Sequence, residues 1–217
     1  MPAVRPPAPR RVLAALLVLL ACEEVPRTYS SAGPAQRLFA DRFDGAALGP
    51  EWRPTGAGAR VEGGELVVEG LRNRPVWLTI PLPDDARVEF DARAASDEGD
   101  IKVELAGDGT SYARTASYVA SGYVFVFGGW NNSLSAIVRR DEHGADRKTT
   151  NALKVEANKR YHFTITRRSG ELRWELDGQE VLVYDDPEPL VGPGNRHFAF
   201  GGWEAKVAFD NLEIFAL

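Results

Sequence analysis

Phe125-Val126-Phe127-Gly128-Gly129-Trp130 returns further along the chain as Phe198-Ala199-Phe200-Gly201-Gly202-Trp203. Each copy is an aromatic strand pattern that runs into two glycines and ends on a tryptophan. Residues two apart share a face of a pleated strand. Phe125, Phe127 and Gly129 therefore lie on one side and Trp130 on the other, and Phe198 and Phe200 stand in the same relation to Trp203. Such strands insert phenylalanines into a core and present indoles on the opposite surface. Glycine leaves room for a ligand or a neighbouring backbone to approach. The expectation is a sheet whose open face carries Trp130 and Trp203. The alternative puts both indoles in the core at glycine bulges.

Working outward, strand signals recur from residue 38 onward, and no stretch keeps a helical apolar period for three turns. Ala59-Arg-Val-Glu62 and Glu65-Leu-Val-Val-Glu69 flank Gly63-Gly64 as a hairpin. Pro75–Ile80, Ala86–Arg93 and Asp100–Leu105 follow as further strands. Residues 160–184 read as a three-strand meander that turns at Ser169-Gly170 and at Asp177-Gly178. Asp-Gly between alternating strands favours a type I′ turn, whose central residues both need positive φ. Phe163, Ile165, Leu172, Trp174 and Leu176 alternate with polar neighbours, which puts Trp174 in the core. Many short strands joined by glycine turns in one domain mean a β-sandwich or a closed barrel.

The order of segments chooses between these. Asp41-Arg-Phe-Asp-Gly45, Trp52, Gly63-Gly-Glu-Leu66, Asp177-Gly178 and the ending Val207-Ala-Phe-Asp-Asn-Leu-Glu-Ile-Phe215 occur in this sequence along the chain. In that order they resemble the concanavalin A-like lectin/glucanase superfamily over residues 38–217, in particular its laminin G-like and 3-keto-disaccharide-hydrolase-like groups. The resemblance implies an all-β fold, a jelly roll of two antiparallel sheets with a concave face that often binds glycans. It also implies a structural calcium where the first strand meets the last, held by Asp41 or Asp44 with Asp210. A bend at Asp210-Asn211 is the competing explanation of those residues.

The N-terminus reads as an address. Arg5, Arg10 and Arg11 precede the apolar run Val12–Ala21, too short to span a bilayer and suited to a signal-peptide core. Leu19-Leu20-Ala21-Cys22 looks like a bacterial lipobox, in which the cysteine is lipidated and becomes the first mature residue. Cys22 is the only cysteine, so it has no intramolecular disulfide partner. Residues 1–21 are thus expected to be a lipoprotein signal peptide, 22–37 a lipidated cysteine with a flexible tether, and 38–217 the sandwich. Stable anchoring takes more than one acyl chain. Glu23, in place of an aspartate after the cysteine, favours the outer membrane, facing the periplasm or the cell surface. Loss of the signal removes three arginines and no acid, which takes the formal charge from −5 to −8. An acidic chain without a basic run is a poor nucleic-acid binder. A monomer is expected, with the membrane reached through the lipid alone.

Sugar recognition needs flat aromatics for pyranose C–H faces and polar groups for hydroxyls. Trp130-Asn131-Asn132 supplies an indole and two amides, and Trp203-Glu204 an indole and a carboxylate. Tyr112 and Tyr118 either line the same groove or cover a sandwich edge, and His197 precedes the second phenylalanine strand. The best functional reading is a non-catalytic carbohydrate-binding protein of the cell envelope. The second is a glycan-cleaving enzyme with Glu204 and Asp185 or Asp186 as its carboxyls. Retaining hydrolysis needs them about 5 Å apart, inverting hydrolysis roughly 6.5–9.5 Å. The acidic strand Glu-x-Asp-x-x-Glu of the superfamily's glucanases does not occur, nor does a Gly-Asn-Ser-Gly segment, so neither activity carries over by resemblance. The third is a structural lipoprotein that binds a protein partner through its aromatic face. No cofactor beyond the calcium is implied, since the three histidines (His143, His162, His197) have no zinc-like spacing.

Overall fold

The computed structural model describes residue 1, residues 35–115 and residues 118–217. Cys22, the signal segment and nearly all of the tether lie outside the described residues.

Among the described residues, fifteen strands run in chain order as β1 (Gln36–Asp41), β2 (Trp52–Pro54), β3 (Ala59–Glu62), β4 (Glu65–Val68), β5 (Val76–Leu78), β6 (Ala86–Ala94), β7 (Ile101–Gly107) and β8 (Tyr123–Gly128). They continue as β9 (Leu134–Arg139), β10 (Lys148–Thr150), β11 (Tyr161–Arg168), β12 (Glu171–Leu176), β13 (Gln179–Asp185), β14 (His197–Gly201) and β15 (Val207–Ala216). One sheet has the order β13-β12-β11-β6-β15-β4-β3, with β1 also paired to β15; the other has the order β10-β9-β8-β7-β14-β5-β2. All pairings between these strands are antiparallel. This is the expected two-sheet jelly-roll sandwich. β1 begins at Gln36, ahead of the expected boundary at residue 38, because Gln36 pairs with Ala216 of the last strand.

The local turn chemistry holds. Gly63 and Gly64, Ser169 and Gly170, and Asp177 and Gly178 all take positive φ, as type I′ hairpins require. β6 alternates buried and half-buried along its whole length, so its apolar residues face one way. Between the sheets, the rings of Phe90 and Phe163 stack at 4.7 Å, and Phe163 and Trp174 at 5.9 Å. Phe127 and Phe200 close on them edge-on. The four phenylalanines of the repeated motif and Trp174 are all buried.

The outer face of the seven-stranded sheet departs from expectation. It is not open along its length. Strands β7 and β8 are buried on both faces, because residues 108–115 and 118–122 cover the outer one. The Trp77 indole donates to Ser111 O at 3.0 Å, and Ala113 N donates to Asn73 O at 2.8 Å. Ala120 packs with Val124, Val126, Ala136 and Val138 as a second apolar cluster, bordered by Tyr118 and Trp130. Glu104 anchors this crossing. Its Oε1 accepts from Ser121 N, Ser121 Oγ and Gly122 N, and its Oε2 from the Tyr118 hydroxyl at 3.0 Å. What stays open on this face is one end, beyond Lys102.

Candidate functional site

The open end is built from three turns, two joined backbone to backbone and the third bonded to the Gly202-Trp203 segment. At the end of β8 the chain enters an unusual turn, with Trp130, Asn131 and Asn132 at φ 52°, 56° and 56°. Left-handed conformation costs an L-residue about 1–2 kcal/mol, so three in succession need compensation. Asn132 supplies much of it. Its Nδ2 donates to Asp97 O at 2.7 Å and Val155 O at 2.8 Å, and its Oδ1 accepts from Val155 N at 2.9 Å. Lys154 Nζ donates to Asn132 O at 2.6 Å and Ser133 O at 2.7 Å. The turn starts at Gly128 (φ 68°), where a Cβ would stand 2.5 Å from Val155 Cγ2. Glycine is required there by both conformation and space.

The second turn is Gly99-Asp100, both at positive φ, with Asp100 N donating to Gly128 O at 3.0 Å. The third is Arg72-Asn73, also left-handed, whose N–H groups donate to Trp203 O and Gly202 O at 3.0 Å each. Close approach of these turns brings residues from distant segments to one cleft of about 500 Å³. Trp130 and Trp203 contribute aromatic walls, and Asn73, Asn131, Glu98, Asp100, Lys102, Glu142, His143 and Glu204 contribute polar groups. Trp203 is 39% exposed, and Trp130 is half-buried with the Arg147 guanidinium 5.1 Å from its ring centre. Asn73, Asp100, Trp130 and Asn131 all carry left-handed backbones. Such strain persists only where the surroundings over-determine it, and it gathers at binding sites.

Lys102 is the electrostatic centre. Its Nζ lies 2.9 and 3.1 Å from the two Glu142 carboxylate oxygens, 3.1 Å from Asn73 Oδ1 and 3.8 Å from Asp100 Oδ1. Burial opposes its charge, but Asp100 and Glu142 together hold its pKa above the ordinary value. Burial raises the Asp100 carboxyl; Lys102 opposes this and Glu142 adds to it. Its Oδ2 is buried with no hydrogen-bond partner among the described residues. Glu204 is tied to Arg72 at 2.7 Å on the exposed rim.

Trp130, Asn131, Trp203 and Glu204 therefore line one cleft, although the two tryptophan motifs lie far apart in sequence. The other sequence-derived candidates are elsewhere. Asn132 is a structural clip whose amide is used by Asp97 and Val155. Tyr118 belongs to the crossing segment and donates to Glu104, and half-exposed Tyr112 stacks with Arg114. His197 Nδ1 sits 3.0 Å from Leu78 O, and its ring packs on Gly109. The alternative catalytic pairing is not assembled, because neither Asp185 nor Asp186 lines the cleft that holds Glu204. Asp186 is buried, accepting from the Tyr123 hydroxyl at 2.6 Å and Arg139 Nε at 2.9 Å, while Asp185 is exposed. The aspartates assigned to calcium have partners within the protein. Asp41 accepts from Phe43 N and the Trp52 indole, each at 2.8 Å, and Asp210 accepts from Asn211 N and Arg160. Asp44 is exposed, and no cluster of three or more metal-ligating side chains occurs among the described residues.

Sequence reading missed Asn73, Glu98, Asp100, Lys102 and Glu142. Lys102 and Glu104 alternate with Ile101, Val103 and Leu105, a pattern that reads as a solvated strand face. Only the crossing segment and the cleft give those polar positions another environment.

No protein-family model matches the chain. Among solved structures it superposes on the carbohydrate recognition domain of Emp47p with a TM-score of 0.62 at 13% identity, over 87% of this chain and 99% of that one. The laminarinase from Rhodothermus marinus gives 0.55 at 15% identity, over 84% and 98%. The carbohydrate-binding module CBM66 from Bacillus subtilis gives 0.54 at 15% identity, over 76% and 96%. The fold is a concanavalin A-like sandwich. In sequence, this sandwich is 25% identical over 160 residues to an extracellular exo-α-L-arabinofuranosidase of Streptomyces chartreusis. The match takes in 73% of this chain but only 18% of that enzyme's length. A sialidase superposes with a TM-score of 0.60, and again the sandwich spans 18% of it. Carbohydrate-binding modules and glycan-active enzymes are thus the sandwich's structural neighbours.

Proposed function

We propose that this chain is a lipid-anchored glycan-binding protein of the cell envelope, tethered through Cys22, with its ligand seated in the cleft between Trp130 and Trp203. The observation that carries this reading is the convergence of two indoles, two amides and several carboxylates on one cleft of about 500 Å³. That volume lies within the usual range for small-ligand sites, about 300–1,000 Å³. Indoles offer flat apolar faces for sugar rings, while Asn73 and Asn131 offer donors and acceptors for hydroxyls. The neighbouring folds support the same direction. Strained turns held by hydrogen bonds fix the walls before a ligand arrives, which lowers the ordering cost of binding.

The test is retention of the purified chain in gels cast with a panel of polysaccharides, run beside Trp203→Ala and Trp130→Ala. Retardation by a polymer, lost in folded variants, is the expected result. No retardation by any polymer, or retardation unchanged in both variants, overturns the reading. Release of reducing ends from a retained polymer would make the cleft catalytic. The anchor is tested by labelled fatty-acid incorporation, which Cys22→Ser must abolish.

A further inference from the structure

The cleft has more negative charge than its own cations neutralise. Among the described residues, four carboxylates line it: Glu98, Asp100, Glu142 and Glu204. Lys102 is the only lysine or arginine among the described lining residues, its three protons already committed to Glu142 and Asn73, and Arg147 at the edge is spent on the Trp130 ring and Glu142 O. Arg72 takes Glu204 from outside. Glu98 is exposed and has no cation within ion-pair distance among the described residues. Asp100 shares Lys102 only at 3.8 Å through Oδ1, the Trp203 N–H is the one backbone donor that favours its charged form, and its Oδ2 makes no hydrogen bond of normal geometry among the described residues. The surplus therefore sits on the adjacent pair Glu98 and Asp100, beside the exposed indole of Trp203.

Carboxylates next to an indole make a setting for an ammonium group. The carboxylates attract it directly, and the indole face attracts it through its ring quadrupole. The protein already uses the second interaction at this site, where Arg147 lies over Trp130. A glycan bearing carboxylate or sulfate would instead meet like charge in a partly desolvated cleft. We propose that the ligand is a glycan with free amino groups, its ammonium held by Glu98 and Asp100 while a sugar ring lies on Trp203. This deepens the glycan-binding reading and rests on it.

Three oligomers of matched length and one small amine separate the components: an oligomer of glucosamine, the same oligomer fully N-acetylated, an oligomer of galacturonic acid, and spermidine, which has amines and no ring. Calorimetry with the full chain at low salt is expected to show the glucosamine oligomer bound at least tenfold tighter than its acetylated form. The galacturonic acid oligomer and spermidine are expected to bind at least tenfold more weakly than the glucosamine oligomer. Glu98→Gln, on an exposed side chain that does not threaten folding, is expected to remove up to about fivefold of that advantage, the ceiling for an exposed ion pair. Asp100→Asn, isosteric with the parent, is expected to remove more. Binding of the acetylated oligomer as tight as the amine form overturns the amine assignment and leaves the glycan reading standing. Equal binding of spermidine overturns it because the ring then contributes nothing. Failure of all three oligomers to bind overturns the amine assignment, and the glycan reading falls with it only if the polysaccharide panel is blank as well.

Discussion

Replacing Glu104 with glutamine should change how stability depends on pH more than it changes stability itself. Glu104 is 4% exposed on β7, and burial raises its carboxyl from the ordinary 4.5 to about 7. The donors from Gly122, Ser121 and Tyr118 pull the other way without overcoming burial. A group whose folded pKa lies above its unfolded one contributes stability that is fully present below the unfolded value and lost as pH rises through the folded value. For Glu104 that window runs from about 4.5 to about 7, and the loss across it amounts to about 3 kcal/mol. Glutamine keeps an acceptor for the Ser121 and Gly122 N–H groups and cannot ionise. Urea denaturation of parent and Glu104→Gln at intervals between pH 4.5 and 8.5 isolates this group, because every other titration is common to both. The stability of the parent relative to the variant should fall by about 3 kcal/mol across that range, then level off. Parallel curves would refute the reasoning, since they would mean that Glu104 ionises in the fold as readily as in the unfolded chain.

Other perturbations separate scaffold from site. Trp203→Ala should abolish polysaccharide retention yet cost no more than about 1–2 kcal/mol in urea, because the ring is only partly covered and its backbone bonds remain. Asn132→Ala, by contrast, removes three hydrogen bonds that hold the left-handed turn, and should cost about 2–4 kcal/mol in urea denaturation while weakening retention as well. Tyr123→Phe should lower stability by about 2 kcal/mol with retention unchanged, since buried Asp186 loses a donor and Leu190 N–H an acceptor away from the cleft. A thermal melt alongside the retention gel reads both.

The sequence by itself determined an all-β domain, its strands and its hairpins, because its local signals are redundant and agree; the choice of sandwich over barrel came from the resemblance carried by the order of segments. Alternation in β6, β11 and β12 marks a buried face; paired positive-φ residues at Gly63-Gly64 and Asp177-Gly178 fix hairpin register; and repeated Phe-x-Phe places rings in the core. Each rests on contacts between near neighbours or on burial alone, which a linear pattern can encode. The same repeat marked Trp130 and Trp203 as a pair. Tertiary structure alone decided that they share a cleft, and that Asn132 props the wall while Asn131 lines it. It also decided that the sheet face between them and Tyr112 is covered. Lys102, Glu104 and Asp100 show why. On a strand read alone they are polar positions facing water, but residues 118–122 bury Glu104, and the turns at 72–73, 99–100 and 128–132 enclose Lys102 and Asp100. Their chemistry depends on desolvation by segments far away in sequence, and desolvation exists only once the chain has folded.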